Sequence, residues 1–180
     1  NGFIPVRPGE ADPGGPGCWI IVREDSLILV AAGDKHSLFE GTLPAWATPH
    51  AAPLFIGLWK GKPARILAIA AECTIPPDCV IEPLLLIFFQ ERLDDDLLSL
   101  AGHAQQILAW EKKSAVCPRC GGGTYRIDGT WGKKCRECGY EHFPSIHPCT
   151  LVLVYRDNEV LLIRKPEWPP GYYSLPSGFC

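Results

Sequence analysis

Four cysteines fall in two CxxC pairs, Cys117/Cys120 in Cys-Pro-Arg-Cys and Cys135/Cys138 in Cys-Arg-Glu-Cys, with fourteen residues between the pairs. Two thiolates from one tight turn and two from a second can close a tetrahedron around Zn²⁺. Gly121, Gly122 and Gly123 follow the first pair, and Gly139 follows the second. Glycine suits knuckle turns, whose backbone takes positive φ where amides turn toward the sulfurs. Two disulfides are the competing use of these sulfurs. Nine cysteines is an odd count, and the other five show no framework. A four-cysteine site is closed, so it predicts a staple and not a catalyst.

The remaining cysteines (Cys18, Cys73, Cys79, Cys149 and Cys180) read as free or buried thiols. Cys73 and Cys79 flank Pro76-Pro77 and could form a second metal pair, but no partner pair stands out. No His/acid pairing supports a nucleophilic cysteine. Asp94, Asp95 and Asp96 are adjacent, so on a helix they point in different directions and make a poor metal cluster. They read instead as a helix start, capping free amides and complementing the dipole.

Four segments carry these residues. Residues 1–93 read as a small, mostly antiparallel N-terminal α+β domain. Its first seventeen residues read as an irregular lead, because Pro5, Pro8, Pro13 and Pro16 oppose regular structure. Hairpins are expected around residues 23–26 and 60–63, and a short helical segment over 82–93, broken early by Pro83. Residues 94–114 read as a connecting helix, with Leu97, Leu100, Ala101, Ala104, Ile107 and Leu108 on one face. Glu111, Lys112 and Lys113 end it. Residues 115–143 form the zinc module. In residues 144–180 a hairpin is expected, pairing 150–155 with 160–164 around Asp157-Asn158.

The composition is that of an ordinary globular protein, 47% hydrophobic and 21% charged. A net charge of −3 predicts no broad polyanion-binding surface. The longest apolar run, Leu84–Phe89, is far shorter than the roughly 18 residues of a membrane span. Residues 1–17 contain no apolar segment of the signal-peptide kind. Free thiols and a thiolate metal site favour a reducing compartment, so a cytoplasmic location is expected. The chain has no methionine and stops just after a strand-like segment, which reads as part of a longer protein.

From Cys117 onward the chain resembles the NADH pyrophosphatase family of Nudix hydrolases. The resemblance is carried by the two CxxC pairs and Phe-Pro-Ser-Ile-His-Pro-Cys at 143–149. It continues through LVLVYRDNEVLLIRK at 151–165 and WPPGYYSLPSGF at 168–179. Residues 54–70 and the helix ending Ala-Trp-Glu-Lys-Lys are similar too, with less specificity. The resemblance implies an N-terminal α+β domain, a zinc ribbon, and the first strands of a C-terminal Nudix α/β/α domain. It implies a homodimer that hydrolyses the pyrophosphate of NADH or NAD⁺ to a nicotinamide mononucleotide and AMP, and in some members removes NAD caps from RNA.

That chemistry needs Mg²⁺ or Mn²⁺ to offset clustered phosphate charge and orient the attacking water. The family's metal-binding glutamates lie in a box that begins with glycine, here Gly178. Only Gly178, Phe179 and Cys180 of that box are present, so the catalytic residues are expected beyond Cys180. By the same resemblance the nicotinamide ring stacks between Phe179 and Phe143 of two subunits. Read from composition alone, both are core or ribbon-packing aromatics. Thr130 stands where the family can place a substrate-contacting Glu, and it lacks that charge and reach. His147 reads as a turn residue and not a ligand.

A second class stays open: a zinc ribbon that binds RNA or docks a subunit without catalysis. Arg119, Arg126, Lys133, Lys134 and Arg136 slightly outnumber Asp128, Glu137 and Glu141 there. Tyr125, Trp131, Tyr140 and Phe143 could stack on bases.

Overall fold

A computed structural model describes residues 2–180. The chain divides into two compact units, the first ending at Phe143 and the second running Pro144–Cys180.

The first unit is built on a seven-stranded sheet. Its strands are β1 (Phe3–Pro5), β2 (Gly17–Arg23), β3 (Ser26–Val30), β4 (Phe39–Gly41), β5 (Leu54–Trp59), β6 (Lys62–Ala68) and β7 (Cys79–Pro83). The order is β1-β5-β6-β2-β3-β7, with β4 also paired to β2. Every pairing is antiparallel except β2 with β6. The α+β class and the two expected hairpins are therefore present.

Strand β2 explains the layering. Cys18, Ile20 and Val22 enter one buried cluster, while Trp19 and Ile21 enter the other. Alternate residues of a strand face opposite sides, so a strand apolar throughout must be covered on both. One face is covered by α1 (Leu84–Phe89) and α2 (Asp95–Lys113), through Ile87, Leu100, Ala101, Ala104 and Ile107. Each fully buried Leu or Ile contributes roughly 1.5–3 kcal/mol. The other face is covered by loop residues, including Ala47, Trp46 and Ile75.

Three expectations are corrected. The lead is not wholly irregular, because Phe3–Pro5 pairs with β5 at the sheet edge. An edge strand tolerates proline, whose missing N–H need not face a neighbour. Glu82 and Pro83 belong to β7 and precede the helix. Asp94 occupies the N-cap position of α2 but caps no amide with its side chain. Its carboxylate instead meets Lys35 Nζ at 2.6 Å, a contact far off in sequence. Asp95 and Asp96 in the first turn and Lys112 and Lys113 in the last do complement the dipole.

The ribbon is a three-stranded antiparallel sheet of β8 (Thr124–Arg126), β9 (Lys133–Cys135) and β10 (Glu141–His142), with β9 in the middle. In the second unit β11 (Cys149–Leu151) pairs with β14 (Ser177–Phe179), and β12 (Tyr155–Arg156) with β13 (Glu159–Val160). The turn at Asp157-Asn158 is where the sequence places it, with Asp157 at φ 53°. The strands are shorter than expected. Leu151, Val152, Leu153, Val154 and Leu161 are all exposed. Among the described residues this unit holds two separate two-stranded sheets. Such pairs hold only marginally without a covering layer.

Candidate metal centre

Two knuckles present the four sulfurs. In the first, Gly121 N–H donates to Cys117 O at 2.9 Å and Cys117 N–H to Gly122 O at 2.8 Å. In the second, Cys135 N–H donates to Tyr140 O at 2.9 Å. Gly121 and Gly139 sit at φ 75° and 68°, where a side chain would be strained. The central strand β9 delivers Cys135, so the site is anchored in the ribbon sheet.

The sulfurs lie 3.7 Å (Cys117–Cys138), 3.5 Å (Cys120–Cys135) and 3.4 Å (Cys120–Cys138) apart. A tetrahedron with Zn–S bonds of about 2.3 Å has edges of about 3.8 Å. A disulfide would need about 2.05 Å. The four sulfurs therefore fit one structural zinc ion, and they form the one such cluster among the described residues. Backbone amides already point at the sulfurs: Arg119 N–H at Cys117 Sγ, and Glu137 and Cys138 N–H at Cys135 Sγ. The Cys138 amide, aided by that of Glu137, pulls the Cys135 thiol down to about 6. Cys135 is thus a thiolate, the form that ligates, near neutral pH. By contrast, burial pushes Cys18 up to about 12, leaving it an inert core thiol.

The register gives the ribbon two faces. Tyr125, Lys134 and Glu141 align on the outer one, where Lys134 pairs with Glu141 at 2.9 Å. Arg126, Lys133 and His142 align on the inner one, against the end of α2. There Glu111 takes Arg126 on Oε1 and Lys133 on Oε2, each at 2.5 Å. Trp110 Nε1–H donates to Trp131 O at 2.6 Å, and its ring lies 5.3 Å from that of His142. Phe143 lies beside Gly132. A Cβ on that glycine would come within 2.4 Å of Phe143 Cε1. Phe143 nevertheless remains 53% exposed.

Residues 16–110 match the family described as an NADH pyrophosphatase-like rudimentary NUDIX domain, more than half of the chain. This chain belongs to that family. Residues 112–143 match the NADH pyrophosphatase zinc ribbon domain. Proteins named NAD-capped RNA hydrolase NudC are similar over most of the chain. That of Stutzerimonas stutzeri is 30% identical over 169 residues, covering 93% of this chain and 59% of its own. That of Pseudomonas aeruginosa is 30% identical over 177 residues, covering 96% and 60%. That of Edwardsiella ictaluri is 26% identical over 172 residues, covering 94% and 60%. The chain spans about 60% of the length of these relatives.

The NADH pyrophosphatase resemblance is thus confirmed, and the N-terminal sheet is itself a reduced NUDIX fold. Cys117, Cys120, Cys135 and Cys138 converge. Thr130 and Phe143 both lie in the first unit, near Gly132. The Thr130 hydroxyl is committed to its own turn, accepting from Gly132 N–H at 3.0 Å and reaching Ile127 O at 3.3 Å. Phe179 lies in the second unit, 83% exposed. His147 is exposed and belongs to no metal cluster among the described residues. Cys73 donates to Trp46 O and gathers no metal partners among them. The contacts made by Trp110, Glu111 and Gly132 were not legible in the sequence. Glu111 read only as a helix end, and no periodic spacing ties it to Arg126 or Lys133.

The same geometry reduces the basic face of the ribbon. Arg126 and Lys133 are paired with Glu111, and Lys134 with Glu141. Arg136 instead lies over Tyr125 at 5.3 Å.

Proposed function

We propose that this chain is part of a Nudix hydrolase that cleaves the pyrophosphate of NADH, NAD⁺ or the NAD cap of RNA, giving a nicotinamide mononucleotide and AMP or AMP-ended RNA. The observation that carries it is the four-cysteine ribbon joined to a rudimentary NUDIX domain, with a single-sided aromatic, Phe143, at the ribbon's end. The NAD-capped RNA hydrolases that match over most of the chain support the substrate class. The zinc holds the ribbon together. Mg²⁺ or Mn²⁺, bound by glutamates expected after Gly178, supplies charge neutralisation and orients water. Phe143 and Phe179 are each proposed as stacking surfaces for the nicotinamide, in a homodimer. Thr130 contributes by shaping the turn beside Phe143, with its hydroxyl already engaged. The five free cysteines outside the metal centre suit a reducing compartment, and a cytoplasmic site of action is part of the proposal. No helix among the described residues is long and apolar enough to cross a membrane.

The 180-residue chain alone is expected to release no AMP from NADH with either cation, whereas the protein extended to its relatives' length turns it over. Chromatography of the products decides this. Robust turnover by residues 1–180 would refute the placement of the catalytic glutamates, and none by the longer protein would refute the function.

Phe143→Ala is expected to raise KM for NADH about three- to tenfold, from lost stacking of roughly 0.5–1.5 kcal/mol. Zinc content should not change. Loss of zinc on this substitution would make Phe143 a ribbon-packing residue instead.

The ribbon as an RNA-binding module without catalysis is less well supported, because three of its five basic side chains are held by carboxylates. Salt-dependent binding of uncapped RNA by this chain would restore it.

A further inference from the structure

We propose that Trp110 is a positioning residue for the nicotinamide platform; this rests on the placement of that ring at Phe143. Trp110 reaches both segments that fix Phe143. Its indole N–H donates to Trp131 O at 2.6 Å, beside Gly132. Its ring lies 5.3 Å from His142, the residue before Phe143. Gly132 is the floor under the phenyl ring, where a Cβ would stand 2.4–3.1 Å from three of its ring carbons.

Glu111 holds Arg126 and Lys133, the residues flanking the turn of Gly132, and the turn between them is held by its own bonds and by Trp110. Gly132 O accepts from Ile127 N–H at 2.9 Å, and its own N–H goes to Thr130 Oγ1 at 3.0 Å, so both bonds stay inside one turn. Among the described residues, Trp110 is the hydrogen-bond donor that ties this turn to the helix. Its own place is fixed on α2, where Ser114, fully buried, donates its hydroxyl to Trp110 O at 2.6 Å. The side chain of Trp131 is held by Arg126, whose guanidinium lies 4.9 Å over the indole. A short bond from a rigid ring defines position closely, and stacking depends on ring placement. The helix end thus sets where the phenyl face stands without touching substrate.

The test compares Trp110→Phe with wild type in the full-length enzyme, using NADH and ADP-ribose. ADP-ribose keeps the pyrophosphate and adenosine but lacks nicotinamide. Expected is about a two- to fivefold rise in KM for NADH, smaller than that of Phe143→Ala, with kcat within about twofold and KM for ADP-ribose unchanged. Equal rises for both substrates, or no rise for either, would overturn the proposal. If Trp110→Phe loses zinc, benzothienylalanine at position 110 replaces it, since this isostere removes only the N–H. The same split in KM is then required. Phe143→Ala runs alongside: no effect of that variant on NADH refutes the nicotinamide placement itself, whatever Trp110→Phe does.

Discussion

Cys135→Ser is expected to leave the chain without zinc and residues 115–143 unfolded, while the large sheet persists. The three ribbon strands are three, three and two residues long, too little to bury a core. The metal must supply the missing stability, and structural zinc binds such modules with about 10–16 kcal/mol. Cys135 is the ligand carried by the central strand and the sulfur that two amides address, so its loss removes both a donor and the anchor of the site in the ribbon sheet. Serine keeps the shape and loses the soft donor. Metal analysis should fall from one zinc per chain to none. Backbone amides of β8–β10 should exchange rapidly, while β2, β3 and β6 stay protected. A protected ribbon without metal would defeat this. The pH dependence has a definite sign. A thiol held low in the folded state contributes stability that is present above its ordinary range and lost as pH falls through about 6. Acid should therefore weaken the ribbon first.

Glu111→Ala should destabilise the first unit by about 2–3 kcal/mol. Breaking a buried ion pair from one side costs roughly 3–5 kcal/mol, because a charge is left unpaired. The lower figure applies here because Glu111 and Arg126 are each 23% exposed, though Lys133 is only 10% exposed. One carboxylate serves two cations, so its removal strands both. Glu111→Gln should cost less, since the amide oxygen still accepts one bond. Denaturant unfolding measures the difference, and a change under about 0.5 kcal/mol would show the bridge to be dispensable.

The metal centre was legible because its code is local. Each CxxC with its following glycine fixes a knuckle from a handful of residues, and only the meeting of the two knuckles needs the fold. The amphipathic face of α2 was legible for the same reason, through the repeat of Leu100, Ala101, Ala104 and Ile107. Strands β2 and β6 were both found, but not their parallel pairing, since periodicity says which residues face inward and nothing about which strands meet. Asp94 shows the limit most plainly. Its type and position predict a cap, yet a lysine 59 residues earlier takes its carboxylate.

The residue order alone determined the zinc ligands, the helix that precedes them and the family to which the chain belongs, because spacing along a chain constrains what a short turn or one helix face can present. Only the tertiary structure decided how the ribbon sits on that helix. Glu111 finds Arg126 and Lys133, Trp110 finds the Trp131 carbonyl, and Gly132 makes room for Phe143. Such contacts join residues eleven to twenty-two positions apart, with no repeat to announce them. They form when packing brings a helix end and a small sheet together and every buried charge and donor must be satisfied.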